Sequence, residues 1–212
     1  MQSAITSIRE AIKTKFDNEA TGHDWYHIQR VTNLALHIQE TEGGNRHVVE
    51  LAGLLHDISD HKFNGGDYKK GGIEAHRIMT EHHIETSIIE QVVTIVNNIS
   101  YKGANVQNTI SSLEGKIVQD ADRIDAIGAI GIARTFAYGG HKGHPIYDPN
   151  IAPKLHNTPK DYQETTHTIN HFYEKLLLLK DRMNTMKGKE IAEQRHLFIE
   201  DFLKQFYTEW NY

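Results

Sequence analysis

A histidine followed directly by an aspartate, His56 and Asp57, ends one of the most apolar stretches of this sequence. The residues before the pair read Leu-Ala-Gly-Leu-Leu, which predicts a buried helix. Burying an imidazole beside a carboxylate is costly unless a partner compensates both groups, and a divalent metal ion is such a partner. The dipeptide alone is more typical of a core histidine beside a capping aspartate, so further ligand-type residues are needed.

Two other segments place ligand-type residues inside helical patterns. In DWYHIQRV, Asp24 is a predicted N-cap and His27 lies in the first turn of an amphipathic helix. In QDADRID, three aspartates interrupt a strongly apolar helix, although aspartate is a poor residue for a helix interior. Asp122 and Asp125 are three residues apart and share a face. Taken separately, the His27 segment is typical of a half-exposed histidine at the start of a helix. The three aspartates, taken separately, are typical of an exposed acidic face.

A lone histidine, a His-Asp pair and a distant aspartate, in this order, resemble the HD superfamily of metal-dependent phosphohydrolases. The runs GHDWYHIQRV, LAGLLHDISDHK and IVQDADRIDAIGAIGIARTFAYGG are similar to small bacterial hydrolases of the YpgQ/YedJ type, over roughly residues 20–150. The resemblance implies one divalent ion bound by His27, His56, Asp57 and Asp122. Ligation by imidazole and carboxylate without sulfur favours Mn²⁺, with Mg²⁺, Co²⁺, Ni²⁺ or Fe²⁺ as alternatives.

The same resemblance implies hydrolysis of a phosphate ester or anhydride, and the expected partner is a small phosphorylated molecule, a nucleotide. The YpgQ/YedJ likeness favours a nucleoside triphosphate cleaved to a monophosphate and pyrophosphate. Two alternatives stay open: a 5′-nucleotidase that removes one phosphate, and a metal-dependent nucleotide-binding or signalling protein with little turnover. The intact ligand set favours catalysis, since a pure binder needs no metal with open coordination positions.

Further candidates surround the predicted ligands. Asp60 lies one turn past Asp57, where some HD relatives carry an acidic residue that activates the attacking water; a solvated aspartate is the alternative. His61 is a weaker candidate for this catalytic role. Asp125 is predicted either to support the metal site from behind its ligands or to contact the substrate. Four residues are predicted to bind substrate: Lys62, Lys102, Arg134 and Tyr138. For each of them, an ordinary surface role is the alternative.

The elements that must position these residues are helices throughout, because apolar residues recur at helical spacing and no strand pattern exceeds a few residues. We therefore predict an all-α fold: a single HD-domain helical bundle in residues 1–150, with C-terminal helices in residues 151–212 that pack on it. Glycines and prolines predict loops in residues 64–72 and 138–159, and a helix break near Gly188. The predicted helices are approximately 5–16, 28–38, 48–55, 74–82, 88–99, 113–130, 162–186 and 190–207.

Composition narrows the function class. A net charge of -5 with neutral histidines gives no indication of a surface for nucleic acid polymers. The chain has no cysteine, which excludes thiolate metal sites and disulfides. No apolar run approaches the ~20 residues of a membrane span, and the N-terminus does not resemble a signal peptide, so we expect a cytoplasmic protein. Phe206, Tyr207 and Trp210 are predicted to pack either within the chain or across a homodimer.

Overall fold

The computed structural model describes residues 1–17, 24–58, 70–99, 109–154 and 166–212. All regular structure in these ranges is helical, which confirms the predicted all-α class. The described residues up to Ala121 form one compact unit, and those from Asp122 onwards form a second. Whether residues 151–212 pack on a core of residues 1–150 stays a prediction. None of the described helices combines the length and the apolarity that a membrane crossing requires.

The described residues of the first unit form five complete helices and the beginning of a sixth. Its central element is the third helix, α3, which packs against α1, α2 and α5. Every residue from Val48 to Leu55 in α3 is buried, as the nearly continuous apolar run predicted. The bounds are α1 Gln2–Phe16, α2 Trp25–Glu42, α3 Arg46–Leu55, α4 Lys70–Glu81, α5 Thr86–Asn98 and α6 Leu113–Asp125.

Side-chain caps fix the ends of the two helices that carry ligand-type residues. Asp24 accepts a hydrogen bond from the backbone N–H of His27 at 2.8 Å, so the predicted N-cap of α2 is confirmed. Asn45 caps α3 by accepting from the N–H groups of His47 and Val48. Between the two helices, Gly43 adopts φ +84°, a conformation that glycine reaches without strain. The predicted stop of α2 at this glycine is therefore also confirmed.

In the described residues of the second unit, the last turn of α6 is followed by α7 Gly128–Lys142, α8 Thr168–Glu174, two 3₁₀ turns at Leu176–Leu178 and Lys180–Arg182, and α9 Met186–Trp210. Helix α7 packs against α8 and α9. The aromatic residues near the C-terminus contact other rings of the same chain, and a contribution of these residues to a homodimer stays a prediction. Their rings lie around Tyr147, at centroid distances of 5.8 Å for Phe206, 5.5 Å for Tyr207 and 5.0 Å for Trp210.

One long helix over residues 113–130 was predicted, and this prediction is wrong. Helix α6 ends at Asp125 and α7 begins at Gly128, whose φ is +75°. A left-handed residue cannot continue an α-helix, so the chain changes direction here. A side chain at Gly131 would also collide with the carbonyl of Ala126, which shows how tightly the two helices follow one another.

Other predicted boundaries also need correction. Helix α7 continues to Lys142 and ends at the left-handed Gly143, so the predicted loop 138–159 begins too early. Of the predicted helix 162–186, residues 162–165 lie outside the described ranges, and the described part forms the short α8 followed by 3₁₀ turns. Gly188 does not break a helix, because it lies buried in the first turn of α9 and donates to the N-cap Thr185. Gly71 and Gly72, predicted as loop residues, belong to α4.

Candidate metal centre

His27 enters the core from the first turn of α2. The Asp24 cap fixes this turn, and the His27 side chain is completely buried. The sequence alternative of a half-exposed histidine at a helix start is therefore wrong. A fully buried imidazole needs polar partners for its ring nitrogens, because an unsatisfied buried polar atom costs roughly 1–3 kcal/mol.

His56 and Asp57 lie in the turn that follows α3. Helix α3 ends at Leu55, and the N–H of Ile58 donates back to the Leu55 carbonyl. The Nδ1 atom of His56 lies 2.8 Å from the carbonyl oxygen of Gly53. A carbonyl only accepts, so Nδ1 must carry the proton. In the neutral ring, Nε2 is then the nitrogen that carries the acceptor lone pair, which is the usual tautomer of a metal-binding histidine.

The three side chains converge on one point. The Nε2 atom of His27 lies 3.2 Å from Nε2 of His56 and 3.3 Å from Oδ2 of Asp57. The Nε2 atom of His56 lies 3.5 Å from the same carboxylate oxygen. The start of α2 and the turn after α3 therefore bring together three potential metal ligands. Among the described residues, these are the histidine and acidic side chains that lie close enough together to share one ion.

These separations fit a single bound ion. Adjacent ligand atoms held at ~2.1 Å in octahedral or tetrahedral geometry lie roughly 3.0–3.4 Å apart. Two imidazole nitrogens and one carboxylate oxygen, without sulfur, suit a first-row divalent ion. The histidine side chains are 0% and 1% exposed, whereas that of Asp57 is 16% exposed, so the cluster meets solvent on its carboxylate side. An ion at this point would accept the lone pairs of both Nε2 atoms.

The predicted acidic residues of α6 lie in its last turn and belong to the second unit. Asp122 is half-buried, and its role as the fourth ligand stays a prediction. Asp125 is almost completely buried, and its Oδ2 atom accepts from Nη1 of Arg134 at 2.7 Å. The structure therefore joins two residues for which the sequence predicted separate roles, Asp125 in catalysis and Arg134 in substrate binding.

Of the remaining predicted residues, the described ranges include only Tyr138. Tyr138 lies in α7, is 40% exposed, and has the Nζ atom of Lys142 5.6 Å from its ring centroid. This places its ring on an exposed face of the helix, and its contact with substrate stays a prediction. Four predicted residues lie outside the described ranges: Asp60, His61, Lys62 and Lys102.

Sequence reasoning missed Gly53, whose carbonyl orients His56. A signal was present, because residues three apart on a helix are neighbours and Gly53 precedes His56 by three positions. A glycine inside an otherwise apolar, buried helix weakens that helix by about 1 kcal/mol relative to alanine, which indicates a packing requirement.

The chain is similar to known proteins over nearly its whole length. The HD domain family model matches residues 24–127, a range that includes all four predicted metal ligands. The YpgQ protein of Bacillus subtilis is 36% identical over 199 residues, which are 93% of this chain and 89% of YpgQ. The crystal structure of YpgQ in complex with ADP has a TM-score of 0.75 and 97% coverage of both chains.

Two further solved structures are similar over nearly the whole length. An HD-superfamily hydrolase from Bacillus thuringiensis is 44% identical, with a TM-score of 0.78, and the match covers 99% of this chain and 98% of that one. A protein from Lactobacillus plantarum is 36% identical, with a TM-score of 0.86, and the match covers 100% of this chain and 98% of the other.

Proposed function

Because this chain belongs to the HD superfamily of metal-dependent phosphohydrolases, we propose that it hydrolyses a nucleoside triphosphate to a monophosphate and pyrophosphate. The observation that carries the proposal is the convergence of His27, His56 and Asp57 within hydrogen-bonding distance of one another. The ADP complex of YpgQ supports a nucleotide as the substrate. In this reaction, water forms a bond to the α-phosphorus, and the bond to the bridging oxygen breaks to release pyrophosphate.

We propose that Asp122 joins the three clustered side chains as the fourth metal ligand. When bound, a divalent ion, preferably Mn²⁺, supplies electrostatic stabilisation of the charge that develops on phosphorus and acidifies water. The Gly53 carbonyl holds the His56 ring in the tautomer that presents Nε2. The burial of both histidines excludes competing water from their nitrogen atoms.

The attacking water must lose a proton, and Asp60 is the proposed acceptor, with His61 as a weaker candidate. Asp125 has a positively charged partner at 2.7 Å in Arg134. One oxygen of the Asp125 carboxylate is therefore already engaged by the guanidinium. This pairing supports Asp60 over Asp125 as the proton acceptor.

The negative charge of a triphosphate requires compensation beyond that of one divalent ion. We propose that three cationic side chains provide it: Lys62, Lys102 and Arg134. Arg134 is half-buried, and one face of its guanidinium is fixed by Asp125. Tyr138 completes the proposed set as an exposed aromatic ring that would contact the nucleotide.

A metal-by-nucleotide screen with product identification tests this function. Metal-free protein is supplied with Mn²⁺, Mg²⁺, Co²⁺, Ni²⁺ or Fe²⁺ and a nucleoside triphosphate, and pyrophosphate and phosphate are quantified separately. We expect equimolar monophosphate and pyrophosphate, with Mn²⁺ as the strongest activator. Phosphate released from a monophosphate would identify a 5′-nucleotidase instead, and tight binding without either product would identify a nucleotide-binding protein. Asp57→Ala serves as the matched control for contaminating phosphatases.

A further inference from the structure

Helices α2 and α3 approach each other closely where Gly53 faces Thr32. A Cβ atom placed on Gly53 would lie 3.0 Å from Oγ1, 3.1 Å from Cα and 3.3 Å from Cβ of Thr32. Favourable contacts between carbon atoms need about 3.5–4.0 Å. The neighbouring helix must therefore move by a few tenths of an ångström to accommodate even a methyl group.

Thr32 has little freedom to turn away from such a methyl group. Its side chain is completely buried, and its hydroxyl donates to the carbonyl of Ile28 at 2.8 Å. The contact also includes the Thr32 backbone, which no change of rotamer can move. A side chain at position 53 would consequently separate α2 from α3.

This close approach lies next to both histidine ligands. His56 is three residues beyond Gly53, or about 4.5 Å along the helix axis, and His27 is five residues before Thr32, or about 7.5 Å. Packed helices transmit small displacements as rigid bodies because protein interiors are dense. A separation at Gly53 therefore increases the distance between the two Nε2 atoms, which is 3.2 Å in the native chain.

We propose that Gly53 is a positioning residue for the metal centre: its missing side chain keeps α2 and α3 close enough for His27 and His56 to bind the same ion. The inference rests on the metal centre of the proposed function. It adds that the spacing between α2 and α3 determines which size of ion the centre prefers. Opening the gap penalises a small ion more than a larger one. Gly53 thus contributes in two ways, through its carbonyl to the orientation of His56 and through its lack of a Cβ to the spacing of the ligands.

The test compares metal binding by wild type and Gly53→Ala. Metal-free protein is titrated with Mn²⁺, and free Mn²⁺ is measured by electron paramagnetic resonance; Zn²⁺ is titrated against a chromophoric chelator. We expect the Mn²⁺ dissociation constant to rise about tenfold, the lower end of the range for groups that orient metal ligands. The rise should be larger for Zn²⁺, the smaller ion.

Gly72→Ala is the matched control. It adds the same methyl group to another buried helical glycine of the first unit, where it would collide with the side-chain amide of Asn97 in α5. We expect this variant to lose thermal stability and to keep the wild-type dissociation constants. Thr32→Ala in the Gly53→Ala background removes the Oγ1 atom from the contact and should restore part of the affinity.

Failure of wild type itself to bind Mn²⁺ would refute the proposed function, and the inference with it. If wild type binds, a Gly53→Ala dissociation constant within twofold of the wild-type value would overturn the inference alone. An equal loss in Gly72→Ala, or equal losses for Mn²⁺ and Zn²⁺, would also contradict it. Should Gly53→Ala fail to fold, the double variant is compared with Thr32→Ala alone, because it retains the backbone contact at 3.1 Å. A dissociation constant within twofold of that single variant would then overturn the inference.

Discussion

Binding of Mn²⁺ should raise the thermal stability of this protein, and Asp57→Ala should remove most of that gain. His27 belongs to α2, whereas His56 and Asp57 follow α3, so the three candidate ligands come together only in the folded chain. An ion that binds only the folded state stabilises it by about 2.7 kcal/mol when its free concentration is a hundred times its dissociation constant. For a chain of this size, each kcal/mol corresponds to about 2–4 °C, so Tm should rise by about 5–11 °C.

Asp57 supplies the only negative charge among the three clustered ligands, with Oδ2 3.3 Å and 3.5 Å from the two Nε2 atoms. If its removal weakens binding a hundredfold, the same Mn²⁺ concentration stabilises the variant by only about 0.4 kcal/mol. The metal-free variant should lose roughly 1 kcal/mol, the usual contribution of one hydrogen bond. The variant should therefore be folded and helical, but nearly insensitive to Mn²⁺.

Differential scanning calorimetry of chelator-treated protein, with and without added Mn²⁺, measures both effects. All 15 histidines remain in Asp57→Ala, so adventitious binding to surface imidazoles is matched between the two proteins. An unchanged wild-type Tm at saturating Mn²⁺, or an equal rise in Asp57→Ala, would refute the assignment of this cluster as the metal centre. Loss of the helical circular dichroism signal would instead indicate a structural role for Asp57.

Two further predictions concern catalysis and alkaline stability. Asp60→Asn should lower kcat by ~10² or more with metal content unchanged, as for a lost general base. Lys62→Ala should mainly raise KM, because it removes a contact to the substrate phosphates. Changes below twofold in both variants would show that other residues activate the water and bind the phosphates. Burial and a hydrogen bond with Tyr173 raise the pKa of Tyr207 well above its ordinary value. The contribution of Tyr207 to the free energy of unfolding is thus complete below pH ~10 and declines as the pH rises further. The free energy of unfolding of Tyr207→Phe should therefore depend less on pH above that value than that of wild type. Identical alkaline stability profiles of the two proteins would disprove this role.

The parts of the fold that were predicted correctly are those with local signals. The Asp24 cap, the glycine after α2 and the continuous apolar run of α3 each act within a few residues. Since two of these signals border the segments that carry His27 and His56, the sequence located both candidate ligands at helix ends. The distances between them depend on how α2 packs on α3, and no local signal reports the close contact of Gly53 with Thr32.

The break between α6 and α7 was missed because helical periodicity continues through it. Ile124, Ile127 and Ile130 keep the spacing of a single apolar stripe, although Ile130 is 44% exposed in the structure. The break between the two helices is fixed by tertiary contacts. Arg195 of α9 donates to the carbonyl of Ile124 and packs where a side chain on Gly128 would lie. Such a contact, 71 residues away in sequence, leaves no trace in a local pattern.

The same break explains how Asp125 acquires its partner. In one continuous helix, residues 125 and 134 would be about 13.5 Å apart along the axis, too far for an arginine and an aspartate to meet. The turn before Gly128 instead brings Nη1 of Arg134 to 2.7 Å from Oδ2 of Asp125. A phosphate that contacts Arg134 would therefore meet a guanidinium whose orientation is already fixed, with less conformational entropy to lose on binding.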